Sequence, residues 1–424
     1  MSIGLCGKNI DRDGLRILVV SQYFWPENFR INDLVRSLAE RGHQITVLTG
    51  IPNYPEGRYY EGYSLFSQRR QHFHGAQVLR VPLFPRLNGR GLSLFLNYIS
   101  FAFFGSVVSP LLLRGGFDII FVCQLSPVTV GLPAIVLKKL FKAPILFWVL
   151  DLWPESLSAS GALNSRSFLA VMDKVVKYIY HNADKIVVSS RGFIQSIEAK
   201  GIRSEQLDYF PNWYEPEYLN SSSQSNVYLT QIELPVGFRV MFAGNIGAAQ
   251  DFETILAAAE MLKKYRDIHW IILGDGRRFD WVQEQISLRA LSDCFHLLGR
   301  FPSDAMTVFF SQADAMLVTL KRDPIFSLTV PGKIQSYMAC GKPIIAALDG
   351  EGNRLVIESG GGVASPAEDA SALAQSVVSL YNMSSKKREE MGECGKAYGE
   401  KNFNREVLMD RLEGWMSEVV AHTV

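Results

Sequence analysis

Short, wholly apolar runs recur along the chain, each bounded by glycine, proline or polar residues. LRILVVS (Leu15–Ser21), QITVLTG (Gln44–Gly50), FDIIFV (Phe117–Val122), PILFWVL (Pro144–Leu150) and KIVVSS (Lys185–Ser190) form one series. FRVMFAG (Phe238–Gly244), IHWIIL (Ile268–Leu273), AMLVTL (Ala315–Leu320) and PIIAAL (Pro343–Leu348) form a second, with HLLG (His296–Gly299) between its members. Runs this short with no polar alternation read as strands buried on both faces. Between them, apolar residues spaced three and four apart predict helices over Ile31–Arg41, Val128–Phe141, Phe252–Tyr265, Asp304–Gln312, Arg354–Ser359 and Ala370–Tyr381, and from Arg405 to the end. Strand and helix in alternation predict an α/β protein of parallel, doubly wound sheets. The rhythm breaks over Glu215–Pro235, which contains SSSQSN and no sustained period, as an interdomain linker would. The predicted organisation is a lead-in over residues 1–14, a Rossmann-like domain over 15–215, a linker over 216–235, a second Rossmann-like domain over 236–400, and a C-terminal helix over 401–424 that crosses back to the first domain.

One stretch carries the strongest local signal. In IFSLTVPGKIQSYMACGKPIIAAL (Ile325–Leu348), Pro331 suits a helix start, Ile334, Tyr337 and Met338 fall on one helical face, and Gly341 suits the position just past the end. The preceding loop, Lys321 to Val330, opens at a strand's carboxyl end, where open α/β sheets bind ligands. Free N–H groups at that helix start, with Gly332 and Lys333, suit a phosphate or diphosphate.

The first series carries its own candidate chemistry. The turn after its first strand is QYFWPENFR, with no G-x-G-x-x-G. Aromatic and carboxylate side chains there suit a sugar or lipid-linked sugar, and packing of the aromatics into the core is the alternative. The second strand leads into IPNYPEGRYYEGYS, a long Pro-, Gly- and Tyr-rich loop of the kind that is more often functional than not. Asp151, with Trp153, Pro154 and Glu155, stands at the end of PILFWVL, placed to orient or deprotonate a hydroxyl or simply to cap a helix.

From Gly62 to Phe117 there is no Asp or Glu, while Arg69, Arg70, Arg80, Arg86, Arg90 and Arg114 all fall there. The same stretch holds LSLFLNYISFAFFGSVVSPLLL, long enough to span a bilayer. Asn97, Gly105, Pro110 and the need for a crossover connection favour a partly exposed apolar helix with basic flanks, lying on the cytoplasmic leaflet. Arg86, Arg90, Leu92, Phe95, Phe103, Phe104 and Arg114 are the expected membrane-facing residues.

Composition narrows the field. A chain of 424 residues, 48% apolar, supports two cores of ordinary size. A net charge of +1 argues against a dedicated nucleic-acid binder. The five cysteines (Cys6, Cys123, Cys294, Cys340, Cys394) form no C-x-x-C pair, which fits a reducing cytoplasm and gives no zinc site. No apolar core next to a cleavage site lies near the amino end.

Taken in order, FWPENFRIND, DLWPES, FPNW, FAGNIG, GDG, LGRFPSDAM, VPGKIQSYMACGKPI and GGGVASP resemble the family-4 retaining glycosyltransferases of the GT-B fold, over nearly the whole chain from Arg16 to Met416. The first two motifs are most similar to bacterial members, of an N-acetylfucosaminyl- or N-acetylhexosaminyl-transferase-like kind, that build O-antigen, capsule or exopolysaccharide units on a polyprenyl diphosphate. The resemblance implies two Rossmann-like domains facing a cleft, a nucleotide-diphosphate-sugar donor, with UDP-sugar the expected class, and a polyprenyl-diphosphate-linked acceptor. It places the protein on the inner face of the plasma membrane, cytoplasmic and peripheral. Residue by residue, it implies that Gly244 and Asn245 approach the diphosphate, that Gly274, Asp275 and Gly276 lie by the base with Arg278 near the nucleotide, and that Ser327, Pro331, Gly332 and Lys333 hold the diphosphate and donor sugar. Acceptor contacts are expected from Trp25, Glu27, Asn28, Arg30, Arg80 and Asp151, with Lys333, Asp151 and Glu27 as catalytic candidates. Two family glutamates are replaced, by Leu328 and Ser336, so the ribose contact is expected from Gln335 or Glu351. The Arg and Lys usual after the first strand of the second domain are missing from GNIGAAQ. No D-x-D follows a strand, since Asp11-Arg12-Asp13 lies in the lead-in, and a metal-independent reaction with no cofactor is expected. A sugar-nucleotide epimerase of the same architecture and a catalytically silent partner subunit of a glycan-assembly complex are the rival readings.

Overall fold

The computed structural model describes residues 14–87, 91–159, 165–214, 232–302 and 305–423. Most of the lead-in, Arg90, Asp304 at the expected start of a helix and most of the expected linker lie outside the described residues. The chain divides into two compact units, one drawn from the spans up to Val188, Ile194–Phe210 and Met409 onward, the other from Ser189–Phe193 and Pro211–Leu408.

The first unit is built on eight strands: β1 (Arg16–Val20), β2 (Gln44–Gly50), β3 (Arg70–Phe73), β4 (Ala76–Val81), β5 (Ile119–Gln124), β6 (Ile145–Val149), β7 (Lys185–Val188) and β8 (Leu207–Tyr209). Their order is β3-β4-β2-β1-β5-β6-β7-β8. All pairs are parallel except β3 with β4. β1 is the switch point, pairing Ile17 with both Ile45 and Ile119. The chain leaves β1 in one direction to β2 and later returns on its other side at β5, so the loops after β1, β5 and β6 crowd one crevice. The hairpin β3–β4 falls inside the acid-free stretch and was not expected. β3 (RQHF) alternates exposed and half-buried positions at the sheet edge, so it lacks the continuous apolar run that marks the central strands.

The second unit holds six parallel strands: β9 (Phe238–Ala243), β10 (Ile268–Leu273), β11 (Phe295–Gly299), β12 (Ala315–Thr319), β13 (Ile344–Ala347) and β14 (Gly362–Ser365), in the order β11-β10-β9-β12-β13-β14. Successive residues of β9 face opposite cores. Val240 and Phe242 join Trp270, Ile272 and Leu317 on one side; Met241 and Ala243 join Ile271, Met316 and Val318 on the other. Helices cover both faces, which is why these strands carry no polar alternation. The switch point lies between β9 and β12.

The helix after the switch runs from Gly332 to Ala339 with Pro331 as its cap, and Gly341 follows it at φ +63°. The expected loop before it is partly a helix as well. Pro324–Leu328 forms one turn, capped by Asp323, whose carboxylate accepts from the Ile325 N–H at 2.9 Å. Pro at the first position and Asp at the cap are local start signals that the emphasis on Pro331 passed over.

Candidate active site

In the second unit, the turns after β9 and β10 meet backbone to backbone. Gly274, at φ +141°, sits so close that a Cβ on it would stand 1.9 Å from the Gly244 carbonyl oxygen. Only glycine fits. Gly244, at φ +140°, is bare for a different reason: a Cβ there would meet Lys333 Cε at 2.6 Å. The lysine therefore lies directly across the Gly244 turn. Its Nζ donates to Gln250 Oε1 at 2.7 Å and stands 3.6 Å from the centroid of the Phe242 ring. Gln250 is itself fixed by the Thr319 hydroxyl, which donates to its carbonyl. Burial without a carboxylate partner draws the Lys333 pKa down to about 7. Tyr337 pins the helix beneath: its hydroxyl accepts from the Ala243 N–H at 3.0 Å and donates to the Ala243 carbonyl at 3.2 Å.

Beside these turns opens a cavity of about 480 Å³, lined by Gly244, Asn245, Leu273, Gly274, Asp275, Gly276, Arg300, Phe301 and Met306. Asp275 folds back onto the turn and accepts from the Gly276 N–H at 2.6 Å. Gly332 borders open space, since a Cβ there meets nothing within 4 Å. The glycine is not required by packing, and the helix start stays clear for a ligand. Ser327 lies in the preceding turn and donates to the Pro324 carbonyl; a Cβ on Gly350 would meet its carbonyl oxygen at 1.9 Å.

One expected contact in this unit is corrected, that of Gln335. Arg278 pairs with Glu253 at 2.8 Å and stacks 3.8 Å from the centroid of Trp281. The arginine that lines the cavity is Arg300, in the LGRF segment, whose role its motif did not reveal. Gln335 is 1% exposed, with its amide nitrogen turned onto the Pro331 and Gly332 carbonyls, so it faces the core and not a ribose. Glu351 opens its own helix (Glu351–Glu358) and accepts from Arg354 at 2.7 Å, with its side chain 19% exposed.

In the first unit, the FWPEN loop divides. Tyr23 and Phe24 are core residues, whereas Trp25 is half-buried against Phe73 and Asn28 is exposed. Glu27 is 2% exposed. Its Oε1 accepts from the Asn53 and Tyr54 N–H groups at 2.7 Å each, and its Oε2 from the Phe24 N–H at 3.3 Å. Burial raises its pKa to about 7 against those hydrogen bonds. Glu27 is thus a brace between two loops, and not a group free to meet a substrate. Arg80, 1% exposed, is a second brace, donating to the Trp25 carbonyl at 2.6 Å, the Gly50 carbonyl at 3.2 Å and Gln71. Arg30, at the first position of its helix, is half-buried.

Asp151 follows β6. Its carbonyl accepts from Gln124 Nε2 at 2.6 Å, and its Oδ2 accepts from the Trp153 indole N–H at 3.1 Å. Burial lifts its pKa to about 6, opposed by hydrogen bonds from Trp153, Ser156 and Ser126. A carboxylate with this pKa is poised to accept a proton near neutrality. Arg86 packs against the long tyrosine loop: its guanidinium stacks 5.0 Å from the Tyr54 ring centroid and donates to the Tyr23 hydroxyl at 3.2 Å.

The apolar helix, Gly91–Leu112, turns its small and polar residues inward together with Phe101, which is fully buried. Asn97, Ser100, Gly105 and Ser109 are buried, and Asn97 is held by Gln22 at 2.8 Å and the Phe84 carbonyl at 2.6 Å. Its outward face carries Leu92 (71% exposed), Phe95, Leu96, Ile99, Phe103 (57%), Val107 and Leu111 (78%). Phe104 is half-buried and Arg114 exposed.

Residues 28–213 match the family described as "Glycosyl transferase 4-like domain" and residues 237–383 match "Glycosyl transferases group 1". The chain is 26% identical over 341 residues to the putative colanic acid biosynthesis glycosyl transferase WcaI of Escherichia coli (strain K12), covering 77% of this chain and 82% of that protein. It is 29% identical over 275 residues to the probable glycosyltransferase WbjE of Pseudomonas aeruginosa, covering 62% and 66%. Among solved structures, it is similar in fold to sucrose-phosphate synthase from Thermosynechococcus elongatus (TM-score 0.72, 18% identity, 96% of this chain and all of that one). It is similar also to Anabaena HepE in complex with UDP (TM-score 0.69, 16% identity, 95% and 100%).

Proposed function

The chain belongs to the family-4 glycosyltransferases of the GT-B fold, and from that premise we propose that it moves a sugar, with retention of configuration, from a UDP-sugar to a polyprenyl-diphosphate-linked glycan in surface polysaccharide synthesis. The observation that carries the donor half is Lys333 lying across Gly244, beside a cavity large enough for a nucleotide. As the glycosidic C–O bond of the donor breaks, negative charge gathers on the leaving diphosphate. A cation and helix-start N–H groups aimed at that charge stabilise the transition state more than the ground state, typically by about 3 kcal/mol per donor removed. Lys333 and the Gly332 end of its helix fill this role. The leaving phosphate oxygen takes the proton of the incoming hydroxyl, and Asp151 orients that hydroxyl. Glu351 supplies the ribose contact. The E. coli relative's name places that protein in colanic acid biosynthesis, and HepE was solved with UDP and glucose, which support a glycan product and a UDP-sugar donor.

The transfer proceeds without a metal in this reading. Among the described residues, no three His, Cys, Asp or Glu side chains gather as a metal site. The protein works at the cytoplasmic face of the plasma membrane, held there by the outward face of the Gly91–Leu112 helix. Buried Asn97 ties that helix into the first unit, which favours lying on the bilayer over crossing it. The test is direct: supply a panel of nucleotide-diphosphate sugars with a polyprenyl-diphosphate-linked glycan and follow nucleoside diphosphate release together with the extended lipid-linked product. Release that is independent of acceptor, or a product with inverted configuration, contradicts the proposal.

A further inference from the structure

The first unit contains a cavity of about 300 Å³ that no step above uses. Leu94, Tyr98 and Ile99 of the Gly91–Leu112 helix form one wall, and Trp153, Phe168 and Met172 form the facing one. No charged side chain lines it. Covering apolar surface of this kind is favourable by roughly 25 cal/mol per Å². We propose that this cavity binds the first isoprene units of the acceptor's lipid carrier; the inference rests on the polyprenyl-linked acceptor assigned above.

Two observations point to that occupant. Ile99 and Leu92 belong both to the cavity lining and to the outward apolar face of the same helix. A chain leaving a bilayer against that face reaches the cavity over continuous apolar surface. Trp153 then joins the cavity to the chemistry, since its ring packs edge-on against Tyr98 (centroids 6.0 Å apart) while its N–H holds Asp151. The lipid is thereby placed on one side of the indole and the carboxylate that orients the glycan on the other.

The test uses the full chain, free of detergent, with farnesyl monophosphate as the probe and calorimetry as the readout. Wild-type protein binds the probe and ignores inorganic phosphate at the same concentration. Met172→Trp, which fills the cavity, weakens probe binding by about tenfold or more, as loss of a buried apolar contact does. Leu94→Phe does the same by a milder change. In both, UDP affinity and melting temperature stay at wild-type values, which separates an occupied cavity from a damaged fold. Equal probe affinity in wild type and both filling variants overturns the inference. So does loss of binding in Phe103→Asp alone, because the probe would then sit on the outer face. A protein that binds the probe here yet transfers no sugar to a prenyl-linked glycan contradicts the acceptor assignment and leaves the cavity's ligand standing. Transfer at equal KM to prenyl-linked and methyl-linked glycans does the reverse.

Discussion

At the scale of single residues, the two groups closest to the proposed chemistry are tuned toward each other. Lys333 has its pKa lowered to about 7 and Asp151 has its raised to about 6, both by burial. In the proposed mechanism Lys333 acts on the diphosphate as a cation, so donor capture requires the protonated form and declines as pH rises through 7. There Asp151 accepts from a hydroxyl as a carboxylate, so acceptor use declines as pH falls through 6. The dependence of kcat/KM on pH, which reports groups of the free enzyme, is therefore expected to be bell-shaped with limbs near these values. Lys333→Arg, always charged, removes the alkaline limb, and Asp151→Asn removes the acid limb at lower overall rate. A flat profile in wild type between pH 5.5 and 8 refutes both assignments. Lys333 was legible in the sequence because Pro-Gly-Lys at a helix start is a local pattern. Gln250, which holds it, was not, since the pairing joins positions far apart in the chain. Glu27 and Arg80 misled for the opposite reason. Charged residues in a polar-looking loop read as exposed, and only the fold shows them buried among backbone groups.

At the scale of elements, the glycine turns and the apolar helix make separate predictions. Gly274→Ala places a methyl group against the Gly244 carbonyl at a backbone angle that side chains avoid. Strain of this kind costs about 1–3 kcal/mol. The variant is expected to melt lower and to lose nucleotide binding together, as thermal melting with and without UDP would show. Unaltered UDP binding would place the nucleotide elsewhere. Phe103 and Leu111 are exposed, so Phe103→Asp with Leu111→Asp should leave folding stability within about 0.5 kcal/mol of wild type. The same pair should cut binding to anionic vesicles by about tenfold or more, since each side chain buried in a bilayer contributes about 1.5–3 kcal/mol. Cosedimentation equal to wild type would move the membrane surface to another face. The central strands were readable because burial on both sheet faces demands continuous apolar runs. The β3–β4 hairpin and the short Pro324–Leu328 turn were missed because edges and single turns impose no such demand. The helix at Gly91–Leu112 was found from its length and lack of charge, but its inverted arrangement, polar side inward, needed the partners of Asn97.

At the scale of the whole molecule, the proposed function divides the chemistry between the two units. The proposed donor elements lie in the second unit and the candidate acceptor elements in the first, each at a switch point of its own sheet. That organisation followed from the alternation of strands and helices, whereas the cavity beside Trp153 did not, because its walls come from four stretches with no common pattern. Activity is expected to be unchanged by excess EDTA, and loss of turnover on chelation restored by a divalent cation would end the metal-free reading. The central claim, that Lys333 and the Gly244 turn hold a nucleotide diphosphate, is tested most directly by titrating UDP into wild-type protein and Lys333→Ala in a calorimeter at pH 6.5. The account predicts saturable binding by wild type and a loss of about tenfold or more in the variant, the scale of a charge-assisted hydrogen bond. Equal affinity in the two proteins, with the variant folded, contradicts it.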